Sequence, residues 1–267
     1  MYGHNIDDLR DKINEDLGRI NDWLRLNKLK INVSKTKCLV IDNTKQKTAI
    51  NSINMDGEVV GIVNEMKYLG VVIDRKLNFK ENADAVYRKV AKKVGVLSRI
   101  SKNLTIEARN NVYKSVIESH FQYCATIQFL NNETMFQRLQ KLQNRAMRSV
   151  LGCNKYKSIK KMQASLGWLN VKQIIYSATF MFIFRLKNDR LPTYLSEMVS
   201  YNREYHLYPT SSRDDFRVSL RKNKSDSNFL FDKGLTEFNK LPKEIKREVS
   251  EDTFKKKLNE HLRITLL

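Results

Sequence analysis

The chain has 267 residues, of which 41% are hydrophobic, and carries 49 Lys and Arg against 29 Asp and Glu, a formal charge of +20. That apolar share is enough to bury a core, which excludes a disordered chain, and the length suits one or two ordinary domains. The excess of cations favours a polyanionic partner, with nucleic acid ahead of an anionic membrane surface.

In chain order, a helix is expected from Asp7 or Asp8, acting as its cap, to about Asn27, with Leu9, Ile13, Leu17, Ile20 and Leu24 on one buried face. Leu29–Val33 alternates and Cys38–Ile41 is a short apolar run, so both read as strand. Ile50–Ile62 reads as a hairpin, because the central Asp56-Gly57 pair accepts the positive φ angles of a tight turn. Tyr68–Ile73 reads as a short buried strand with a close Leu-Gly approach, ending this α+β portion near residue 78. From about Asn82 the period becomes helical. Val86, Val90, Val94 and Leu97 share one face, and a second helix runs from Thr105 through Val112, Val116 and Ile117. A third carries Met135, Leu139, Leu142, Ala146 and Val150, with Gly152 as its stop. The fourth, Val171–Lys187, is apolar nearly all round and belongs at the centre of the bundle. Its most apolar run, Ile174–Phe184, is too short for a membrane span of roughly 20 residues. Tyr201–Ser227 is polar and Arg-rich and reads either as a loop-rich insertion or as a β-hairpin. A helix around Phe254, Leu258 and Leu262 closes the chain. The expected class is α+β, mainly α, with three parts: an α/β portion over 1–78, a helical bundle over 79–190 and a less regular tail over 191–267.

The chemistry-bearing residues are few. Cys38, Cys124 and Cys153 form no CxxC pair and the four histidines are scattered, which argues against a zinc module or disulfide framework and for a reducing, intracellular setting, nuclear or cytoplasmic. Asp7-Asp8 lacks the apolar strand that would lead into a two-metal turn, so it reads as helix-start carboxylates favoured by the dipole. Asp214-Asp215, in an Arg-rich stretch, reads likewise as non-metal. No Ser/His/Asp set, phosphate loop or HExxH motif is present, and no metal or cofactor site is assigned.

Two basic stripes stand out. Arg88, Lys92 and Arg99 lie opposite the apolar face of the first bundle helix. Arg138, Lys141, Arg145 and Arg148 form a ridge on the third, interleaved with Gln137, Gln140 and Asn144. A single stripe is as readily a solvated face. Two stripes in a chain of this charge point to phosphate contacts, which position a nucleic acid without reading its sequence. Tyr68, Phe79, Tyr113 and Phe121 offer rings for stacking on bases, but their spacing fits the core better. On pattern alone, Lys35 and Lys37 are surface lysines.

Leu17–Ile41 and Met66–Phe79 (MKYLGVVIDRKLNF) resemble the post-catalytic part of the reverse transcriptase of jockey-type non-LTR retrotransposons. Leu139–Gly152 (LQKLQNRAMRSVLG), Leu166–Leu169, Arg190–Leu195 and Phe238–Leu258 resemble the thumb and tail that follow it, in the same order. The resemblance implies a general-acid role for Lys35 or Lys37 beside a triphosphate, a primer-grip hairpin at Lys67, Tyr68, Leu69 and Gly70, and a thumb that follows an RNA–DNA hybrid with its basic helices. The family's fingers, first catalytic aspartate, Asp-Asp motif and endonuclease have no counterpart here. The resemblance therefore implies binding of RNA or a hybrid without polymerase activity from this chain alone, and magnesium only where an upstream polymerase part supplies the missing palm. The alternative reading is a non-enzymatic helical interaction module or an element relic.

Overall fold

The computed structural model describes residues 6–41, 53–55, 57–205, 212–218 and 230–265. They form a mainly helical α+β structure that separates into two compact units, Met1–Asn82 and Ala83–Leu267.

In the first unit, helix α1 (Ile6–Leu26) packs on a three-stranded sheet. Strand β1 (Lys37–Leu39) runs parallel to β3 (Glu58–Val63), with Cys38 opposite Ile62. Strand β2 (Ile53–Met55) is antiparallel to β3, and Met55 faces Glu58. The expected hairpin is there, and Gly57 takes φ +81° at its turn. Ile50 and Asp56 lie outside the described residues. Ile53, Met55 and Val60 form the buried centre of this sheet, with Ile13, Leu17, Ile31, Val33 and Cys38 against it.

Three expectations in this unit are corrected. The first concerns α1, which starts at Ile6, so Asp7 and Asp8 lie in its first turn rather than before it. Its apolar face is only half buried, and Ile20 is 48% exposed. The second is Leu29–Val33, which is not a strand. Lys28 turns the chain with φ +56°. Asn32 then captures the segment by accepting from the Lys35 amide at 3.1 Å and the Ser34 hydroxyl at 2.7 Å. Such side-chain bonds give the backbone an alternative to a ladder. The third is Tyr68–Ile73, which is two strands rather than one. β4 (Glu65–Tyr68) and β5 (Val71–Asp74) pair antiparallel about a two-residue turn, Leu69 at φ +45° and Gly70 at φ +87°.

The second unit is helical. In chain order it holds α2 (Lys80–Ile100, begun in the last residues of the first unit), α3 (Ile106–Val112), α4 (Ser119–Gln122), α5 (Ala125–Gln128), α6 (Glu133–Leu151) and α7 (Ile159–Leu166). These are followed by α8 (Val171–Lys187), α9 (Thr193–Ser196), α10 (Leu230–Asn239), α11 (Lys243–Lys246) and α12 (Glu251–Thr265). A π-helical turn, Tyr113–Glu118, joins α3 to α4, so the helix expected from Thr105 is interrupted, and Val116 is exposed. Thr105 caps α3 by accepting from the Ala108 amide. The αL residue Gly152 ends α6, as its sequence signals.

α8 is the central helix, in contact with α4, α5, α6, α10 and α12. An Asn170–Gln173 capping box starts it. Gln173 also donates to the Leu262 carbonyl at 2.8 Å, which fixes α12 across it. Phe184 stacks on Phe254 at 4.2 Å, so the terminal helix is part of the same core. Between Tyr201 and Phe216 there is a single antiparallel bridge, and residues 206–211 and 219–229 of that stretch lie outside the described ones.

Candidate nucleic-acid interface

Two polar links set the geometry of the basic helices. Arg138 of α6 meets Asp84 of α2 at 2.8 Å, and the Ser98 and Ser149 hydroxyls meet at 2.8 Å. The links occur in the same chain order, so α2 and α6 lie side by side and run in the same direction. Below the seam, α2 buries Val86, Val90, Val94 and Leu97, and α6 buries Met135, Leu139, Leu142, Ala146 and Val150. At about 100° per residue, Arg88, Lys92 and Arg99 fall on the side of Asp84 away from the core. Lys141 and Arg145 fall on the corresponding side of Arg138. All five are exposed, and their side chains have no hydrogen-bond or ion-pair partner among the described residues. The two stripes thus share one outward face.

The expected ridge on α6 is nevertheless shorter than four cations. Arg138 is occupied twice over, by the Asp84 carboxylate and by the Tyr87 ring 4.4 Å beneath its guanidinium. Arg148 is half-buried and donates to the Lys155 carbonyl at 3.4 Å, just past the helix end, where a cation satisfies the loop backbone. These two arginines are engaged within the protein. Gln140 and Asn144 are bonded to each other, at 2.8 Å, and Gln140 also donates to Gln143.

The segment after α6 is a basic element that stripe-by-stripe reading passes over. Lys155, Lys157, Lys160 and Lys161 are exposed around Tyr156, which is 82% exposed with the Lys155 ammonium 5.1 Å from its ring. Its signal is an aromatic between lysines at a loop, which no helical period registers.

Of the four candidate stacking aromatics, Tyr113 and Phe121 are fully buried. Tyr113 stacks on Trp168 at 3.5 Å and bonds Gln143, and burial raises its hydroxyl's pKa. Phe79 is half-buried, and only Tyr68 is exposed. Lys67, Tyr68 and Leu69 stand at the exposed tip of the β4–β5 hairpin, so that stretch is a projecting turn and not a buried strand. Lys35 is exposed in the short 3₁₀ turn Val33–Lys35. Lys37 is exposed at the start of β1, its ammonium 3.6 Å from where a Cβ would stand on Gly61.

Among the described residues no group of three or more His, Cys, Asp or Glu is arranged to hold a metal ion. Nor is any helix among them long and apolar enough to cross a membrane.

Comparison with known proteins meets this geometry with one kind of relative. The chain is 26% identical over 181 residues to a probable RNA-directed DNA polymerase from transposon BS of Drosophila melanogaster, covering 66% of this chain and 20% of that protein. It is 29% identical over 150 residues to the probable RNA-directed DNA polymerase from transposon X-element of the same species, covering 55% and 16%. It is 21% identical over 229 residues to the RNA-directed DNA polymerase from mobile element jockey of Drosophila funebris, covering 85% and 24%. The chain is similar to the polymerases of jockey-type retrotransposons. It spans about a fifth of the length of these relatives. No family model and no solved structure matches it. The resemblance seen in its motifs is therefore carried by alignments over more than half of the chain.

Proposed function

We propose that this chain is the palm-end and thumb region of a retrotransposon reverse transcriptase, and that it binds RNA or an RNA–DNA hybrid through the outward face of α2 and α6. The observation that carries the reading is the five unpaired cations Arg88, Lys92, Arg99, Lys141 and Arg145 on one side of two aligned helices. Cations on rods spaced by a helix-packing distance suit phosphates along a groove, and their contribution is sequence-independent release of counterions. Tyr156 with its lysines would extend that track with a ring for an unpaired base.

In this reading the β4–β5 tip, Lys67–Gly70, is the primer-grip element, its exposed Leu69 held in a left-handed conformation. Lys35 or Lys37 is the vestigial general acid. The chain by itself is non-catalytic, and the palm that would seat magnesium belongs to an upstream polymerase part. Half-exposed Ile20 and exposed Trp23, Leu26 and Leu29 on the first unit favour such a protein partner. They equally favour the second reading, a helical interaction module, for which nucleic acid would be immaterial.

The test is a fluorescence-polarisation titration of a labelled RNA–DNA hybrid at several salt concentrations, with size-exclusion chromatography of the free protein. The expected result is log affinity falling linearly with log salt, at a slope of about −0.9 for each phosphate engaged. Binding that is independent of salt, or unchanged when the five cations are replaced by glutamine in a folded protein, defeats the reading.

A further inference from the structure

A second group of cations lines a half-open cavity of about 310 Å³ between the end of α8, the Tyr201–Phe216 bridge region and α11. Five cations line it: Lys187, Arg203, Lys243, Lys246 and Arg247. The acids in its lining are Asp214 and Asp215, while Asp189 and Glu204 act on Tyr201 from just outside it. Within the lining, five positive charges against two negative leave a formal excess of three.

The interior of the cavity is built. Lys246 has a side chain only 11% exposed and donates to Asp215 at 2.5 Å and to the Asn239 carbonyl at 2.8 Å. Lys187, the last residue of α8, donates to the Lys246 carbonyl at 2.7 Å. Burial, and then the Lys246 charge, hold the Lys187 ammonium below the usual lysine range, against the opposing pull of Asp214 and Asp215. The guanidinium of Arg203 lies 4.7 Å from the Tyr201 ring, whose hydroxyl burial keeps protonated. Lys243 and Arg247, one turn apart at the rim, are exposed and have no side-chain partner among the described residues. Lys187 and Lys246 thus also tie α11 to α8 and to the end of α10, whereas Lys243 and Arg247 have no such bond among the described residues, and α11 is already held by Ile245 in the core.

We propose that this cavity binds a phosphomonoester dianion, either inorganic phosphate or the terminal phosphate of a polynucleotide. The charge excess selects an anion over a metal ion. A dianion answers it more fully than a carboxylate or a backbone diester, each of which brings a single charge. Lys187 and Lys246 supply point charges on the inner wall, and the Arg203 and Arg247 forks supply paired N–H donors suited to phosphoryl oxygens. An end-on phosphate brings two charges to the point where Lys187 and Lys246 converge with the rim cations, whereas a mid-chain diester brings one. The site shares no residue with the α2–α6 face and does not depend on the reading given to that face.

The experiment is calorimetric titration of inorganic phosphate into the full chain at constant ionic strength, with chloride as the replaced anion. Saturable binding at one site is expected. The rim variant Lys243→Gln with Arg247→Gln, both at exposed positions, is expected to weaken it by about tenfold or more, since it removes two charge-assisted hydrogen-bond donors to the anion. Lys187→Met should weaken it from the inner wall, with circular dichroism confirming the fold. Competition by a 5′-phosphorylated oligonucleotide, and not by its 5′-hydroxyl form, identifies a polynucleotide end as the source. Equal failure of both oligonucleotides, with phosphate bound, identifies free phosphate. Heats no greater than those of the chloride control overturn the proposal, as does phosphate binding unchanged in the folded rim variant.

Discussion

Arg138 and Arg145 sit two turns apart on the same helix and look equivalent in the sequence, yet the structure gives them different work. Replacing each by glutamine separates the two. Arg138 pairs with Asp84 at 2.8 Å, with the two side chains 42% and 27% exposed, and lies over Tyr87. An ion pair this open to solvent is worth at most about 1 kcal/mol, and the cation–π contact adds about 0.5–1 kcal/mol. Arg138→Gln should therefore cost about 0.5–2 kcal/mol in urea unfolding and leave the salt slope of hybrid binding nearly unchanged. Arg145 is exposed and unpaired among the described residues, so Arg145→Gln should leave stability within about 0.5 kcal/mol. Its loss should instead flatten the slope by about 0.9. Between about 50 and 200 mM salt, that is roughly a 3–4-fold smaller loss of affinity per contact, and about 500-fold for all five cations. The assay is polarisation binding across that salt range, with urea melts of the same samples. Should Arg138→Gln flatten the slope as much as Arg145→Gln, Arg138 contacts phosphate, and the division of the ridge into a structural and a binding half is wrong.

Other consequences follow from the interior. Gln143 is fully buried and donates both to the Tyr113 hydroxyl, at 2.8 Å, and to the Leu169 carbonyl, at 2.9 Å. Gln143→Leu strands both acceptors and should cost about 3 kcal/mol, whereas Tyr113→Phe, which keeps the Leu169 bond, should cost about 1 kcal/mol in the same melts. His120 has a buried, unpartnered Nε2, and its pKa is held below the usual histidine value by burial and then by Lys93 and Lys89. The unfolded chain therefore binds more protons between the lowered value and the ordinary one, so stability falls as pH drops through that window. Melts at about pH 7.5 and 5.5 should show this loss, and His120→Asn should reduce it. Leu69 holds φ +45° before Gly70, and an Asn-Gly pair suits such a turn better. Leu69→Asn should stabilise the hairpin by about 0.5–1 kcal/mol, read as slower amide exchange at Lys67 and Val72. If it also weakens hybrid binding, the exposed leucine is held in a strained turn for contact rather than for folding.

What the sequence discloses depends on how far apart the deciding atoms are. α8 is legible because apolar residues recur on nearly every side of Val171–Lys187, and α6 because its buried positions keep one period and Gly152 stops it. The same period places Arg88, Lys92 and Arg99 opposite the core of α2. The role of Arg138 is not legible, because its partner Asp84 stands 54 residues away in the chain. Nor is the failure of Leu29–Val33 to form a strand, since the alternation of apolar residues there is real and a single side chain, Asn32, outcompetes it. The Leu69-Gly70 turn hides for another reason. Leucine is a poor left-handed residue, so a run that reads as one strand is cut in two at a position propensity does not flag. The cavity at the end of α8 joins Lys187, Arg203 and Lys243–Arg247, which no spacing rule connects.

The formal charge of +20 is therefore a poor guide until it is sorted by environment. Some cations are paired within the protein at its surface. Arg138 is tied to Asp84, Lys172 to Glu133 at 2.9 Å, and Arg185 to Glu251. These steady the bundle and offer little to a partner. A second set, on the α2–α6 face, is open to solvent, where a Debye length of about 8–10 Å screens each charge from all but its nearest phosphates. Such a surface holds a polyanion only by many weak contacts, each sensitive to salt. The third set converges around the half-open α8–α11 cavity, where burial and then the neighbouring Lys246 charge hold the Lys187 ammonium below the usual lysine range. On the proposal made for it, an anion entering there would meet the convergent charge at one point, so few contacts would suffice. The same residue types, at the same net charge, thus give one open face of separated cations and one site where cations converge.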